Sequence, residues 1–564
     1  MESQAASFDV VVVGAGASGG WAAKRLSEAG LTVALVDAGR PHAPSDFREH
    51  TAAFQLKFRN QAPEVVRRTR PRQQECYACT EHNYDWFAND IEEPYTTPAD
   101  KPFSWQGRMR ITGGRTNVWA RQSYRLSDLD FKAASFDGFG EDWPLGYADV
   151  APYYDLVEEY VGISGQAEGI YELPDGRFLP PMPLTCPETH LRERAKARLG
   201  RTVTIGRAAN LTRAINGRAP CHYCGPCERG CVTRSYFNAA FTTVADALGT
   251  GRCTHIPNAM VHQVIMDGDR NRARGVRYIH RITRDVREVF GRVVILCAQA
   301  LESARVLFNS ANRQHPNGLA NASGVLGHYL QDHVWNGGGA RGEFPDFPGK
   351  PTLNRPLRPN GFYVIRFRNT RQGPRFSKFL RGYGMQGGWG DGVAFNWNAS
   401  GFGDSYKRGL MQGVTTMNIG GFGECLPRFE NFVEIDPSTV DAFGIPVLRI
   451  NMSWSDNERA MIPDMAEAAA EMLEAAGARN IAPWTVPDRM PGMGIHEVGV
   501  ARMGADSKTS VLNQFQQTHD VRNLFVMDGS GFVSGGCQNP TLTIMALAVR
   551  SCDFVLGELK RGNL

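Results

Sequence analysis

Residues 8–13, FDVVVV, form an apolar run of strand length and lead directly into Gly14-Ala-Gly16-Ala-Ser18-Gly19. A helix-compatible segment, WAAKRLSEAG, follows, and then LTVALVDAG, a second apolar strand ending at Asp37. Strand, glycine turn, helix, strand, acid is the order of a dinucleotide-binding βαβ unit, and no other feature of the chain constrains its fold as tightly. Gly14 would permit the tight turn, Gly16 would let backbone N–H groups approach a pyrophosphate, and Gly19 would let the helix pack close to the sheet. Asp37 stands 23 positions after Gly14, where a carboxylate accepts a hydrogen bond from an adenosine ribose hydroxyl, which favours FAD or NAD over NADP. The bland alternative is a glycine turn in an unrelated α/β protein.

A chain of 564 residues is too long for one compact core, and at about 150 residues per domain three or four units, or two large interleaved ones, are expected. No stretch approaches the roughly 20 apolar residues needed to span a bilayer. The formal charge of +4 is spread along the chain, so nucleic acid is not suggested. No basic, apolar signal opens the sequence, which taken alone points to the cytoplasm.

Near the other end, NLFVMDGSGF (523–532) reads as another strand running into a glycine turn. Asn539-Pro540-Thr541 then precedes the apolar LTIMALAVRSCDFVLGEL. Pro540 suits a first helical position with Asn539 as its N-cap, so a helix N-terminus able to face a negative group is expected there. His496 opens HEVGVARMG, too broken by glycine for a long helix. Between 335 and 485, the short apolar segments GFYVIRF, GVAFNW and VTTMNIGGF among Gly and Pro turns suit an antiparallel sheet. Pro463-Asp464-Met465 and the following AEAAAEMLEAAG read as an amphipathic helix.

Four of the 12 cysteines fall within residues 221–231. Cys221, Cys224, Cys227 and Cys231 have the spacing C-x2-C-x2-C-x3-C, the run with which ferredoxins place thiolates around an iron–sulfur cluster, here without the usual following proline. Zinc is the main rival, since four thiolates also make a closed tetrahedral site, although zinc sites usually pair two CxxC knuckles a dozen or more residues apart. Disulfides or free thiols are the remaining alternative. Cys76 and Cys79 form another CxxC, read as structural or as a disulfide because two thiolates alone cannot close a cluster.

In order along the chain, the glycine motif, ITGGRTNVWA (111–120), DWPLGYADVAPYYDLVEEYVG (142–162), ILCAQALESARVL (295–307), VLGHYLQDH (325–333), HEVGVARMG and VMDGSGF…NPTLTIMALAVRS resemble the glucose–methanol–choline (GMC) family of FAD oxidoreductases. The resemblance implies an α/β, Rossmann-like FAD-binding domain interleaved with an α+β substrate domain built on an antiparallel sheet. The FAD parts would be 1–135, 205–334 (with the cysteine loop 221–231) and 486–564, and the substrate parts a cap segment at 136–204 and the sheet at 335–485. It also implies cofactor contacts at Gly14, Gly16, Ser18, Gly19, Asp37, Ala38, Gly113, Gly114, Asn117, Val118, Val261, Asp528, Gly529, Asn539 and Thr541. Oxidising an alcohol needs its hydroxyl proton removed as hydride leaves carbon, and a neutral imidazole suits that role. Carried over, His496 is the base and Asn539 orients the hydroxyl, against the plainer readings of a core histidine and a helix cap. His333 is read as structural. Val118 occupies the position where the pyranose oxidase branch carries a flavin-linked His, so FAD is expected to be held non-covalently.

Within the family, the cysteine run resembles the branch of FAD sugar dehydrogenases that bind a three-iron cluster, the glucose, fructose and glucoside 3-dehydrogenases. Cys221, Cys227 and Cys231 match that branch, Cys224 is an extra candidate, and a 3Fe-4S cluster is favoured over 4Fe-4S. The resemblance implies a dehydrogenase acting on a sugar or glycoside at C3, with electrons relayed to a cytochrome c or other acceptor. It further implies a small accessory subunit carrying an export signal and hence a periplasmic location, in conflict with the cytoplasmic reading of the N-terminus. Oxidation at C1 or C5, an oxygen-using pyranose-oxidase-like enzyme, and a non-catalytic flavin electron-transfer subunit are the alternatives.

Overall fold

The structure, a computed structural model, describes residues 7–268, 270–347, 357–390, 401–411 and 415–564. The strand Ser7–Val13 lies at the centre of a seven-stranded sheet, parallel to Val33–Val36 on one side and to Val286–Leu296 on the other. Val10–Val12, Val33–Val36 and Val293–Leu296 are wholly buried, because parallel strands covered on both faces need near-continuous apolar runs. Cys253–Ile256 extends the sheet beyond Val33–Val36, and Leu524–Val526 pairs in parallel with the end of Val286–Leu296. The start of that same strand instead pairs antiparallel with Arg272–His280, itself paired with Ala259–Asp267. The chain turns to opposite sides of Ser7–Val13, so a crevice opens at the carboxyl ends of the parallel strands, where α/β sheets bind ligands. Helix Ala17–Glu28 packs there against the C-terminal helix Thr541–Lys560.

The second sheet is antiparallel, in the order Arg479–Thr485, Val334–Glu343, Thr416–Gly423, Tyr383–Gly390, Phe362–Val364, Val203–Ile205. Two of the segments read as strands, GFYVIRF and VTTMNIGGF, contribute to it; GVAFNW (392–397) lies outside the described residues. The edge strand Val203–Ile205 spans the seam expected at 204/205. Helix Asp456–Ala475 lies across this sheet. It begins before Pro463 because Ser455 and Glu458 close a capping box. The sheet is rich in glycine where this helix approaches: a Cβ on Gly338 would stand 2.1 Å from the carbonyl oxygen of Ile462. Among the described residues, no helix is long and apolar enough to cross a membrane.

Candidate active site

A cleft opens at the crevice of the parallel sheet, lined by residues from the glycine turn, the 108–119 segment, the 259–261 strand and the C-terminal part of the chain. Its floor is the glycine turn. Gly14 has φ +99°, and a Cβ there would lie 2.4 Å from the carbonyl oxygen of Cys297. A Cβ on Gly19 would lie 1.8 Å from the carbonyl oxygen of Gly14, whereas one on Gly16 would meet nothing within 4 Å. Gly14 and Gly19 are thus fixed by packing, and Gly16 leaves room for a ligand to approach the backbone. Helix Ala17–Glu28 begins at Gly16 with no side-chain cap and no acid in its first turn, so its first N–H groups are available to an anion. Asp37 lines the cleft, and its Oδ1 accepts from Ala15 N–H at 3.2 Å. Its Oδ2 is buried without a partner, and burial raises the carboxyl above its ordinary pKa. An orphaned buried acceptor beside a glycine cradle fits the ribose and pyrophosphate of a dinucleotide. Ser18, Ala38, Gly114, Val261, Asp528, Gly529 and Thr541 also line the cleft.

At three of the expected cofactor contacts, Gly113, Asn117 and Val118, the residue is not among those lining the cleft, and the side chains of Asn117 and Val118 are engaged elsewhere. Asn117 is buried, donating through Nδ2 to the carbonyls of Thr112 (3.1 Å) and Gly114 (2.8 Å) and accepting from Asn238 Nδ2 at 2.6 Å. Its amide therefore shapes the 111–120 loop. Gly113, at φ +92°, turns that loop against Asn238, and Val118 packs with Cys76, Cys79 and Met109. Thr116 and Trp119 line the cleft in their place.

His496 is half-buried and lines the cleft beside the second sheet. His496 Nδ1 lies 3.0 Å from His333 Nδ1, and His333 Nε2 lies 3.0 Å from the carbonyl oxygen of Gly536. That carbonyl can only accept, so His333 carries its proton on Nε2 and offers Nδ1 as an acceptor; His496 must then donate from Nδ1. His496 Nε2 is left with a lone pair, 3.4 Å from Asn539 Nδ2. Asn539 is turned this way because its Oδ1 accepts from Gln386 Nε2 at 2.8 Å. Burial holds the His333 imidazole down to about 4, and burial with His333 and Arg115 nearby holds that of His496 well below its usual range. Both rings are neutral at physiological pH.

The expectation that Asn539 caps the last helix is corrected. The helix runs from Thr541 with Pro540 at its cap position, which frees the Asn539 amide for the site. The structural reading of His333 is also too narrow, since its ring fixes the tautomer of His496. The preceding Asp332 holds the same block by its backbone, accepting from the N–H groups of Gly492 (2.9 Å), Gly494 (2.9 Å) and His496 (3.0 Å). Burial and the neighbouring Glu497 push the Asp332 carboxyl up to about 7. Arg115 bolts the flavin loop to this block, donating to Glu497 Oε2 at 2.5 Å and Oε1 at 3.0 Å. Between them Ile495 is held at φ +58°, a conformation that a β-branched residue adopts at a cost of about 1–3 kcal/mol and that clusters at functional sites. Gln386 lies in no motif of the sequence, and Arg115 and Glu497, although inside ITGGRTNVWA and HEVGVARMG, have no role that spacing reveals.

All four cysteines of the 221–231 run are free and half-buried. Cys221 Sγ accepts from Tyr223 N–H at 3.4 Å and Cys231 Sγ from Ser235 N–H at 3.3 Å. The loop abuts the back of the flavin segment, where Tyr236 OH donates to the carbonyl oxygen of Asn117 at 2.8 Å. Half-buried thiols with backbone N–H donors fit an iron–sulfur cluster, whose thiolates such donors stabilise. Cys76 and Cys79 are also free, and burial pushes their thiols up to about 11 and about 12; they are core residues.

Family models described as GMC oxidoreductase match residues 9–335 and 427–548. The chain is 30% identical to 2-methyl-1,2-propanediol dehydrogenase of Mycolicibacterium austroafricanum over 98% of its own length and 96% of that protein. It is 26% identical to the fructose dehydrogenase large subunit of Gluconobacter japonicus, over 100% of both. The solved structure of pyridoxine 4-oxidase from Mesorbium loti shares the fold, with a TM-score of 0.61 at 18% identity over 97% of this chain and 99% of that one. The chain belongs to the GMC oxidoreductase family. It is an FAD-dependent oxidoreductase acting on CH–OH groups.

Proposed function

We propose that this chain is the flavoprotein of a dehydrogenase that oxidises a secondary ring hydroxyl, C3, of a sugar or glycoside to a keto sugar and passes the electrons through an iron–sulfur cluster to a protein acceptor. The observation that carries the chemistry is the convergence of His496 Nε2 and Asn539 Nδ2 across 3.4 Å. An alcohol oxygen at that point donates its proton to Nε2 and accepts from the amide N–H. Gln386 keeps the amide oriented, and the His333–Gly536 pair keeps the lone pair of His496 facing the substrate. As the C–H bond breaks, Nε2 takes the hydroxyl proton, so the alcohol loses one proton and one hydride in all. FAD, when bound, supplies the hydride acceptor and the cluster a one-electron outlet. Gly14, Gly16, Gly19 and Asp37 would hold the cofactor non-covalently.

Similarity to fructose dehydrogenase over both full lengths, to a protein named as a large subunit, supports a sugar substrate and a small partner chain. The four free thiols behind the flavin segment support the relay, with Cys221, Cys227 and Cys231 holding a three-iron cluster. A cytochrome c or similar one-electron carrier would then be the acceptor, and export with the small subunit would place the pair in the periplasm.

The test is anaerobic mixing with glucose, fructose, methyl glycosides and 2-methyl-1,2-propanediol, followed by NMR of the product. Bleaching of the flavin by a glycoside with a C3 ketone as product supports the reading. A lactone, a C5 ketone or bleaching only by the diol overturns the regiochemistry, and rapid reoxidation by oxygen overturns the dehydrogenase.

A further inference from the structure

The cysteine loop carries a second cluster of ligand atoms, on its outer side. His50 Nε2 and His222 Nε2 lie 2.8 Å apart. Together with Cys224 Sγ they form a group whose ligand atoms all lie within 4.8 Å of one another, the two imidazoles exposed and the thiol half-buried. A single ion about 2.0–2.1 Å from each nitrogen and 2.3 Å from sulfur needs ligand atoms at about this spacing, and tetrahedral angles require the nitrogens to part by only about 0.5 Å. Exposed imidazoles can make that adjustment.

The three groups meet because of contacts that involve no metal. Arg48 N–H donates to the carbonyl oxygen of Arg229 at 2.9 Å, and Arg229 returns a bond to the carbonyl of Thr51 at 2.6 Å. Glu49 accepts from Val232 N–H at 2.5 Å. The segment carrying His50 is therefore fastened to the far end of the cysteine loop. Within the loop, Tyr223 and Gly225 both have positive φ, +57° and +99°, and these bends direct His222 and Cys224 toward the same neighbour. Thr233 Oγ1 stands 3.5 Å from His222 Nδ1, leaving Nε2 as the free ligand.

We propose that His50 Nε2, His222 Nε2 and Cys224 Sγ bind one divalent ion of the zinc type, with water as the fourth ligand. The imidazoles bind neutral and the thiol binds as thiolate, releasing its proton to solvent. The ion clamps the loop to residues 48–51. A corollary rests on the iron–sulfur reading above: Cys224 is withdrawn from the cluster, and Cys221, Cys227 and Cys231 remain as the ligands of a three-iron centre.

The experiment is metal analysis of the purified full chain together with titration by cobalt(II), whose thiolate charge-transfer band reports Cys ligation. Wild type is expected to hold about one zinc per flavin, or to develop the band with about one equivalent of cobalt. His50→Ala, His222→Ala and Cys224→Ser each abolish both, while Cys221→Ser leaves them intact. Iron per flavin stays unchanged in His50→Ala and Cys224→Ser. No zinc and no band in wild type overturns the site, as does a band surviving in His50→Ala or lost in Cys221→Ser. Loss of iron in Cys224→Ser overturns the corollary. Zinc bound as described in a chain without iron keeps the site and defeats the iron–sulfur reading instead.

Discussion

His496 and the cysteine loop are built by opposite means. Around His496 the protein satisfies almost every polar atom itself: Nδ1 is committed to His333, Nε2 faces the Asn539 amide, and the backbone is gripped by Asp332. Around Cys221–Cys231 the thiols are half-buried, and the backbone supplies single N–H bonds to two of the sulfurs. The first region is preorganised by packing, so that a substrate meets a fixed lone pair; the second holds ligand atoms whose remaining valences face outward. A proton acceptor needs its geometry set before the reaction, whereas thiolates gain theirs from the metal they bind.

Damage at one region is therefore expected to leave the other intact. The largest effect is expected for His496→Ala. Removing a positioned base lowers the rate of flavin reduction by substrate about 10²- to 10⁴-fold, while FAD content and iron per flavin stay at wild-type levels. Normal bleaching of the flavin in stopped flow would remove His496 from the mechanism. The converse variant is Cys227→Ser. On the iron–sulfur reading proposed above, iron is lost and turnover with a one-electron protein acceptor falls at least about tenfold, yet substrate bleaches the flavin at close to the wild-type rate in a single turnover.

What the sequence disclosed follows the same division. The glycine turn, Asp37 and the buried strands are local patterns, since each role is set by residues a few positions apart, and they could be read directly. His496 and Asn539 came from family blocks, because nothing local marks them. What spacing does not reveal is a role set by a partner distant in sequence. Asn539 resembled a cap until Gln386, 153 positions away, claimed its amide. His333 looked structural because His496 is 163 positions off. Asn117 and Val118 share a loop with true cleft residues, but a short turn distributes its side chains between cleft and core according to contacts with Asn238 and Cys76 that spacing does not encode. The same limit hid His50, whose neighbour His222 in the loop lies 172 positions downstream.

His333 tests preorganisation at intermediate scale. Outer partners that fix a histidine tautomer are typically worth 10- to 100-fold, so His333→Ala should slow flavin reduction by about that factor. It should also move the acid limb of the pH profile, a readout that general loosening of the core would not shift. In wild type that limb lies below the ordinary histidine range, because burial keeps His496 neutral. Stability has a matching sign. The folded pKa of His333 is depressed from 6.5 to about 4, so the unfolded chain binds the extra proton between those values, and the stabilisation present above pH 6.5 is lost as pH falls toward 4. Measured by denaturant unfolding, the advantage of wild type over His333→Gln should shrink by about 3 kcal/mol across that window.

The smallest effect belongs to Gln386, whose side chain bonds Asn539. Its Nε2 donates to Asn539 Oδ1 at 2.8 Å, and that bond, with the longer contact of Asn539 Nδ2 to His496 Nε2, sets which end of the Asn539 amide faces the substrate oxygen. A lost neutral hydrogen bond is worth about 1 kcal/mol, so Gln386→Ala should reduce the rate of flavin reduction about fivefold. Gln386→Glu should do comparable harm despite its size: a carboxylate at that distance attracts the amide N–H, turns Asn539 about, and presents its oxygen to the lone pair of His496. If both variants bleach at the wild-type rate, the amide finds its orientation without help, and the preorganisation seen at His496 stops at the ring itself.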